Sequence, residues 1–480
     1  MVNGVPSRPF SPSRGIRQGD PLSPFLFVLM AEGLGRCIKA ALTDGSLKGL
    51  PLHNLQPSLS HSQFVDDTLL MNSPTAREAV KLNSILSDFS EASGMMLNLD
   101  KSKIFFFNTP SCVQIHISRL LGIPRSSLPS NYLGVPLAGP TIRSISWDSL
   151  LLSISNRLSN WTFRPLNIAS RLVLLRSVLQ ALPTYLFTAL AAPKKIINAI
   201  KNLQRNFLWN GHQPNKKWAL ISWETLCKTK SQGGLGLRDP GKLNQVMGAK
   251  IWWRWLKFPT AAWAQIWKSK YAPLTPADEL IRHNTQLQGS HIWNTAWQNR
   301  KLIQEHAFWE IRDGASARFW QDSWQQLKPL AAMEELSDLQ HSPLGNNALK
   351  VRNLWKPQAR HSKWRQWKLS HHELEVPDNL NLQGWQIQAK SRQILMREGP
   401  DILRWGYSPA GNFNIKEAYQ LQEQAQEQSK EPIWGKVWNK ELWPKVSTFL
   451  WLVVHNRALT WDNLRKRGFI GPSICALCCQ

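Results

Sequence analysis

In "HSQFVDDTLL", residues 61–70, two adjacent aspartates, Asp66 and Asp67, interrupt an otherwise apolar run. Carboxylate oxygens are the ligands that hard divalent cations need. The competing reading is an ordinary surface Asp-Asp turn. A second pair, Cys475 and Cys478 in "CALC", has the spacing of a metal knuckle. A structural zinc takes four ligands, usually as two close pairs. Here only Cys479, too near in sequence for a regular site, and the upstream His455 are at hand. The glycine-bearing "SQGGLGLRD" (231–239) looks like a phosphate loop but lacks a Walker or G-x-G-x-x-G pattern. It reads as a structural turn.

The elements that must position the aspartates are legible around them. A basic loop, residues 14–20, runs into "PLSPFLFVLMAEGL", with Ser23 a good N-cap and Pro24 suited to the first helical position. Residues 25–30 are apolar on every side, which predicts a buried helix. The stretch around Asp66 predicts a hairpin. On a strand, Phe64 and Asp66 share one face and Asp67 takes the other. Next, Thr75 and Glu78 form a capping box, Leu82, Ile85, Leu86 and Phe89 an apolar stripe, and Gly94 a stop. Helix, hairpin and helix make an α+β layer.

Further on, Leu172, Leu175, Leu179 and Leu182 recur at helical spacing before Pro183. Ile196, Ile200, Leu203 and Phe207 form another stripe, with Lys194, Lys195, Lys201 and Arg205 off it as free bases, either tracking a duplex backbone or making a solvated basic helix face. Residues 241–330 are Trp-rich, and Trp263/Trp267 and Trp293/Trp297 are four apart, on one helix face. Core packing is the expectation for them.

The 480 residues carry 58 Lys+Arg against 32 Asp+Glu, a formal net charge of +26. That excess favours polyanionic partners, nucleic acid first. At 42% hydrophobic the chain is globular and not a disordered polyelectrolyte. No 18-residue apolar run predicts a membrane span, and no signal peptide is read at the N-terminus. Six cysteines in this length argue for a reducing, intracellular setting, nucleus or cytoplasm.

"RQGDPLSP", "FVDD", "GMMLNLDKSK" and "YLGVPL" stand in the order and spacing of motifs in reverse transcriptases of non-LTR (LINE-type) retrotransposons, particularly plant ones. The first resembles the motif that positions template and incoming nucleotide, here Arg17, Gln18, Gly19, Asp20 and Pro21. The second is similar to the tyrosine-x-Asp-Asp signature, with Phe64 for the tyrosine. By that resemblance Asp66 is a direct ligand of catalytic Mg²⁺ (or Mn²⁺) and Asp67 its supporting neighbour. Nucleotidyl transfer uses two such ions roughly 4 Å apart. Lys101 or Lys103 would lie near the phosphates, and Tyr132, Leu133 and Gly134 would be the primer grip. The C-terminal stretch resembles the reverse-transcriptase zinc-binding domain.

The implied fold class is α+β: a partial palm (1–138), a helical thumb-like region (139–240), a Trp-rich connection (241–330), a polar linker (331–400) and a truncated zinc-binding-like module (401–480). The family's metal site also uses an earlier palm aspartate, and no carboxylate precedes Asp20. The expectation is therefore a chain inert as a polymerase by itself, with half a zinc site at Cys475 and Cys478 and no bound Zn²⁺. The implied partners are RNA and RNA–DNA duplex, a dNTP in a complete relative, and no membrane. A non-catalytic, basic nucleic-acid-binding protein is the alternative.

Overall fold

A computed structural model describes residues 15–52, 55–137, 147–162, 166–211, 218–275, 280–281, 289–324, 329, 350–354, 399–406, 411–424 and 432–471. The chain divides into two compact units, residues 1–146 with 260–274, and residues 147–259 with 275–480. Among the described residues the strands form four two-stranded antiparallel ladders, and the rest of the regular structure is helical. No described helix is long and apolar enough to cross a membrane. Most of the linker expected over 331–400 lies outside the described residues.

In the first unit, α1 (Ser23–Thr43) and α2 (Ala76–Ser93) enclose a small core of Leu34, Ile38, Ala41, Leu47 and Ile85. Ladders β1 (Leu50–Leu52)/β2 (Leu55–Leu59) and β3 (His61–Phe64)/β4 (Asp67–Leu70) connect the two helices. The α2 signals hold. Thr75 accepts from the Glu78 amide, and Gly94 closes the helix in the left-handed region. The Glu78 carboxylate turns instead to the amides of Lys48 and Ser73, which ties the preceding segments to the helix start. Helix α3 (Ser111–Leu121) and ladder β5 (Ser130–Tyr132)/β6 (Val135–Leu137) follow.

Two expectations for α1 fail. Ser23 is the first helical residue and caps nothing; its hydroxyl donates back to the Arg17 carbonyl at 2.7 Å. The run 25–30 is not buried, for Phe25 is 74% and Leu29 71% exposed. The buried positions, Leu34, Gly35, Ile38 and Ala41, all belong to the C-terminal half, where α2 packs.

In the second unit, α4 (Asp148–Thr162), α5 (Ile168–Leu174) and a π-turn over Leu175–Leu179 bury Leu172, Leu175 and Leu179, as the leucine repeat predicts. The run ends in a turn over 180–183, as expected before Pro183, and that proline then precedes the short α6 (Thr184–Phe187). Helix α7 (Lys194–Asn210) buries Ile197, Ile200, Gln204, Phe207 and Leu208, a face rotated from the expected one, so Ile196 and Leu203 are half-buried. Helices α8 (Trp223–Cys227) and α9 (Pro240–Lys257) come next. The first unit takes back α10 (Ala262–Tyr271), where the rings of Trp263 and Trp267 meet edge to face at 5.5 Å.

Helix α11 (His291–His306) packs on α9 through Trp252, Trp255, Trp293 and Trp297, with Trp293 and Trp297 stacked at 5.8 Å. All four are buried, so these tryptophans are core. Strand β7 (Ala307–Glu310) pairs with β8 (Ile402–Trp405), a non-local ladder the sequence did not announce. Helices α12 (Ile415–Gln424), α13 (Ile433–Val437), α14 (Pro444–Val454) and α15 (Trp461–Arg465) complete the unit.

Candidate active site

The two aspartates occupy the tip of the β3–β4 hairpin. Phe64 pairs directly with Asp67, so the turn itself is Val65-Asp66. This corrects the facing expected of a continuous strand. Paired residues share a face, so Phe64 lies with Asp67, and Asp66 projects from the turn. Val65 adopts φ +54°, an unusual conformation for a β-branched residue. Strain of this kind is of order 1–3 kcal/mol and persists where the surroundings impose it.

The root of the hairpin is the rigid part. His61 and Gln63 face α1, and the Gln63 amide donates to the Ala31 carbonyl at 3.3 Å. A Cβ on Gly35 would come within 3.2 Å of His61 Nε2, so glycine there admits the strand against the helix. His61 Nδ1 pairs with the Ser60 hydroxyl at 2.8 Å. Burial pushes the His61 imidazole below its ordinary pKa, against the opposing pull of Glu32, so the ring is neutral at pH 7. Leu70 packs on the α1–α2 core. The tip differs in every respect: Phe64, Val65, Asp66 and Asp67 are all exposed, and no hydrogen bond or ion pair among the described residues engages either carboxylate.

The other motif residues of this unit also lie on turns. Arg17, Gln18, Gly19, Asp20 and Pro21 form an exposed loop held to the start of α1. The Asp20 carboxylate accepts the Leu22 amide at 2.9 Å, which fixes the turn before the helix, and α1 itself has no side-chain N-cap. Lys101 and Lys103 are exposed beside a turn that Asn98 organises by accepting the Lys101 amide. Leu133 (φ +49°) and Gly134 (φ +74°) make the two-residue turn between β5 and β6, the doubly left-handed type that suits the twist of a hairpin. Tyr132, just before it, is half-buried, and its hydroxyl has no partner among the described residues.

Hard-cation chemistry fits Asp66 and Asp67: two unengaged oxygen ligands on a braced support. Among the described residues no group of three Asp, Glu, His or Cys side chains stands ready for a metal ion. Cys475 and Cys478 lie outside the described residues. His455 is engaged elsewhere. Its Nε2 meets the Gly233 carbonyl at 2.7 Å, and its ring lies against Trp434 and Trp451.

The comparisons with known proteins bear on this geometry. Residues 1–137 match the model for reverse transcriptase (RNA-dependent DNA polymerase), and residues 413–480 match the model for zinc-binding in reverse transcriptase. Over these two stretches the chain is similar to reverse transcriptases. Over 351 residues it is 26% identical to a putative ribonuclease H protein of Arabidopsis thaliana, covering 72% of this chain and 54% of that one. An uncharacterized mitochondrial protein of the same plant is 46% identical over 68 residues, 14% of this chain and 56% of its own. A retrovirus-related Pol polyprotein from a type-2 retrotransposable element of Drosophila melanogaster is 35% identical over 99 residues, 21% of this chain and 8% of that one. The chain thus spans about half the length of the first of these relatives.

Outside the motifs of residues 14–137, two buried carboxylates organise the second unit. Asp239 caps α9 through the amides of Gly241 and Lys242, accepts Trp223 Nε1 at 3.0 Å and pairs with Lys201 at 2.6 Å. Lys201, expected among the free bases of α7, is therefore part of the scaffold. Burial raises the Asp239 pKa, but Lys201 and the hydrogen bonds outweigh it and leave the group below the usual carboxylate range. Asp401 accepts four backbone amides, from Arg312, Gly314, Ser316 and Ala317. The glycine-bearing 231–239 segment proves structural: the Gly233 carbonyl receives Trp451 Nε1 at 2.7 Å, and the Asp239 amide donates to the Tyr419 hydroxyl.

Proposed function

We propose that this chain is part of an RNA-directed DNA polymerase of a LINE-type element, with its chemistry at the β3–β4 tip. The observation that carries the reading is an exposed, unengaged Asp66–Asp67 pair on a braced hairpin, within a segment matched to reverse transcriptases. Asp66 would bind Mg²⁺ or Mn²⁺ directly, with Asp67 in support. Such ions, when bound, activate the attacking oxygen and stabilise the leaving pyrophosphate. The residues of the chain orient the reactants: Phe64 and the Arg17–Pro21 loop toward template and nucleotide, Lys101 or Lys103 toward phosphates, and Tyr132–Gly134 toward the primer. The partners are RNA, RNA–DNA duplex and a dNTP.

Two carboxylates on one turn do not make a two-ion site, and this reading takes the bridging ligand from the family's earlier palm aspartate, for which no residue before Asp20 supplies a carboxylate. Primer extension on a poly-A template by the 480 residues alone is then at background, with Mg²⁺ or Mn²⁺. Robust extension that disappears with Asp66→Asn would show instead that another carboxylate of the 480 residues completes the site. The second reading, a non-catalytic basic binder, is favoured by the +26 charge. It predicts affinity for RNA and RNA–DNA duplex with little sequence preference, falling with salt by about 0.7–0.9 log units per log unit of salt for each phosphate contact.

A further inference from the structure

Helix α14 has two apolar faces. Ser447, Thr448, Trp451 and Leu452 are buried, and the Trp451 indole anchors that side to the Gly233 carbonyl. On the opposite side Trp443, Val446, Phe449 and Val453 recur at spacings of three, three and four and face water. Trp443 is 79% and Phe449 59% exposed. Trp434 and Trp451 lie in the interior and Trp438 sits half-buried beneath the Lys230 ammonium, so the core of this segment is already supplied with rings. Among the described residues no ring contact or side-chain hydrogen bond engages Trp443 or Phe449; the Trp443 backbone carbonyl accepts the Ser447 amide at the helix start.

Charge identifies what covers this face. Residues 432–471 carry seven Lys or Arg against two Asp or Glu, a net +5 in 40 residues, more than twice the density of +26 in 480. Lys440 and Lys445 flank the start of the stripe, Arg457 follows its end, and all three are exposed. Protein-binding patches are depleted in lysine. Aromatic rings among bases are the pattern of single-strand binding, in which rings stack on bases and cations follow the backbone.

We propose that the outer face of α14 is a stacking platform for single-stranded nucleic acid. Trp443 and Phe449 each take a base, and Lys440, Lys445 and Arg457 hold phosphates. Six residues separate the two rings, about 9 Å along a helix axis. That exceeds the roughly 3.4 Å between successive nucleotides in a duplex strand. The platform therefore suits an extended strand and not a stacked duplex.

The inference rests on the nucleic-acid reading of the chain. Its test is fluorescence anisotropy of the 480-residue protein with a labelled 15-nucleotide oligo-U and, separately, a 15-base-pair RNA–DNA duplex at fixed salt. W443A/F449A should weaken oligo-U binding about tenfold or more, leave the duplex affinity within about twofold and preserve the salt slope. W443F/F449W, which keeps two rings, should bind like the parent. K440Q/K445Q should weaken both ligands and flatten the slope.

Unchanged oligo-U affinity in W443A/F449A would overturn the platform, and so would equal losses on both ligands. Self-association of the parent that W443A/F449A abolishes, with RNA binding intact, would assign the face to protein and overturn it too. A parent protein that binds neither ligand would bring down the broader nucleic-acid reading as well, whereas a failure confined to W443A/F449A would leave that reading standing.

Discussion

Asp66 and Asp67 in the first unit and Asp239 and Asp401 in the second are the same chemistry in opposite circumstances. The first pair stands at an exposed hairpin tip with no partner among the described residues. Asp239 and Asp401 are each 8% exposed and hold four interactions apiece: two amides, an indole and an ammonium for one, four amides for the other. A buried carboxylate survives only by satisfying its lone pairs within the fold. One that must bind an incoming ion has to keep them open. The scaffold follows suit: bracing ends at His61 and Gln63, one residue short of Phe64.

The largest effects should therefore fall on the second unit. Asp239→Ala strands the Lys201 charge and the α9 cap, and Asp401→Ala leaves four amides without their acceptor. Each should lower the unfolding free energy by about 3–5 kcal/mol, read from the denaturant midpoint. A change below about 1 kcal/mol would erase the distinction between the two classes of aspartate. At the tip the sign reverses. Val65→Gly relieves a left-handed valine, so a gain of up to about 1 kcal/mol is expected from the same measurement. A clear loss would mean that the valine side chain holds the turn. Asp66→Asn and Asp67→Asn should stay within about 0.5 kcal/mol of the parent.

Acid sharpens the contrast without mutation. The folded pKa of Asp239 lies below its unfolded value, so its stabilisation is complete above the ordinary carboxylate range and is lost as pH falls through the folded value. His61 and His306 are likewise held down, chiefly by burial, with Glu305 and Glu417 pulling the other way at His306. The unfolded chain takes up their protons first, so stability should decline as pH drops below about 6.5. The decline should be smaller in H61N/H306N, and an identical pH profile in that variant would exclude the two imidazoles.

What the sequence disclosed and what it withheld divide by range. The Thr75 cap, the Gly94 stop, the inward leucines at 172, 175 and 179 and the hairpin at Asp66 depend on neighbours a few residues away, and all are present. The Glu78 half of the capping box is not, because its carboxylate is taken by the amides of Lys48 and Ser73. The exposure of Phe25 and Leu29 was hidden because a helix apolar all round does not say which half finds a partner. Lys201 looked like a free base because Asp239 is 38 residues downstream. His455 looked recruitable because its acceptor, Gly233, is 222 residues away. The proposed site rests on the order of the four motifs, since no local pattern distinguishes a metal-binding Asp-Asp turn from an ordinary one.

The most direct measurement joins the chain to the upstream segment of a relative that bears the additional palm carboxylate, and follows primer extension on poly-A with Mg²⁺. Asp66→Asn should reduce synthesis to background while the unfolding midpoint stays within about 0.5 kcal/mol of the parent. Synthesis that survives Asp66→Asn would contradict the assignment of the exposed hairpin tip as the seat of the chemistry.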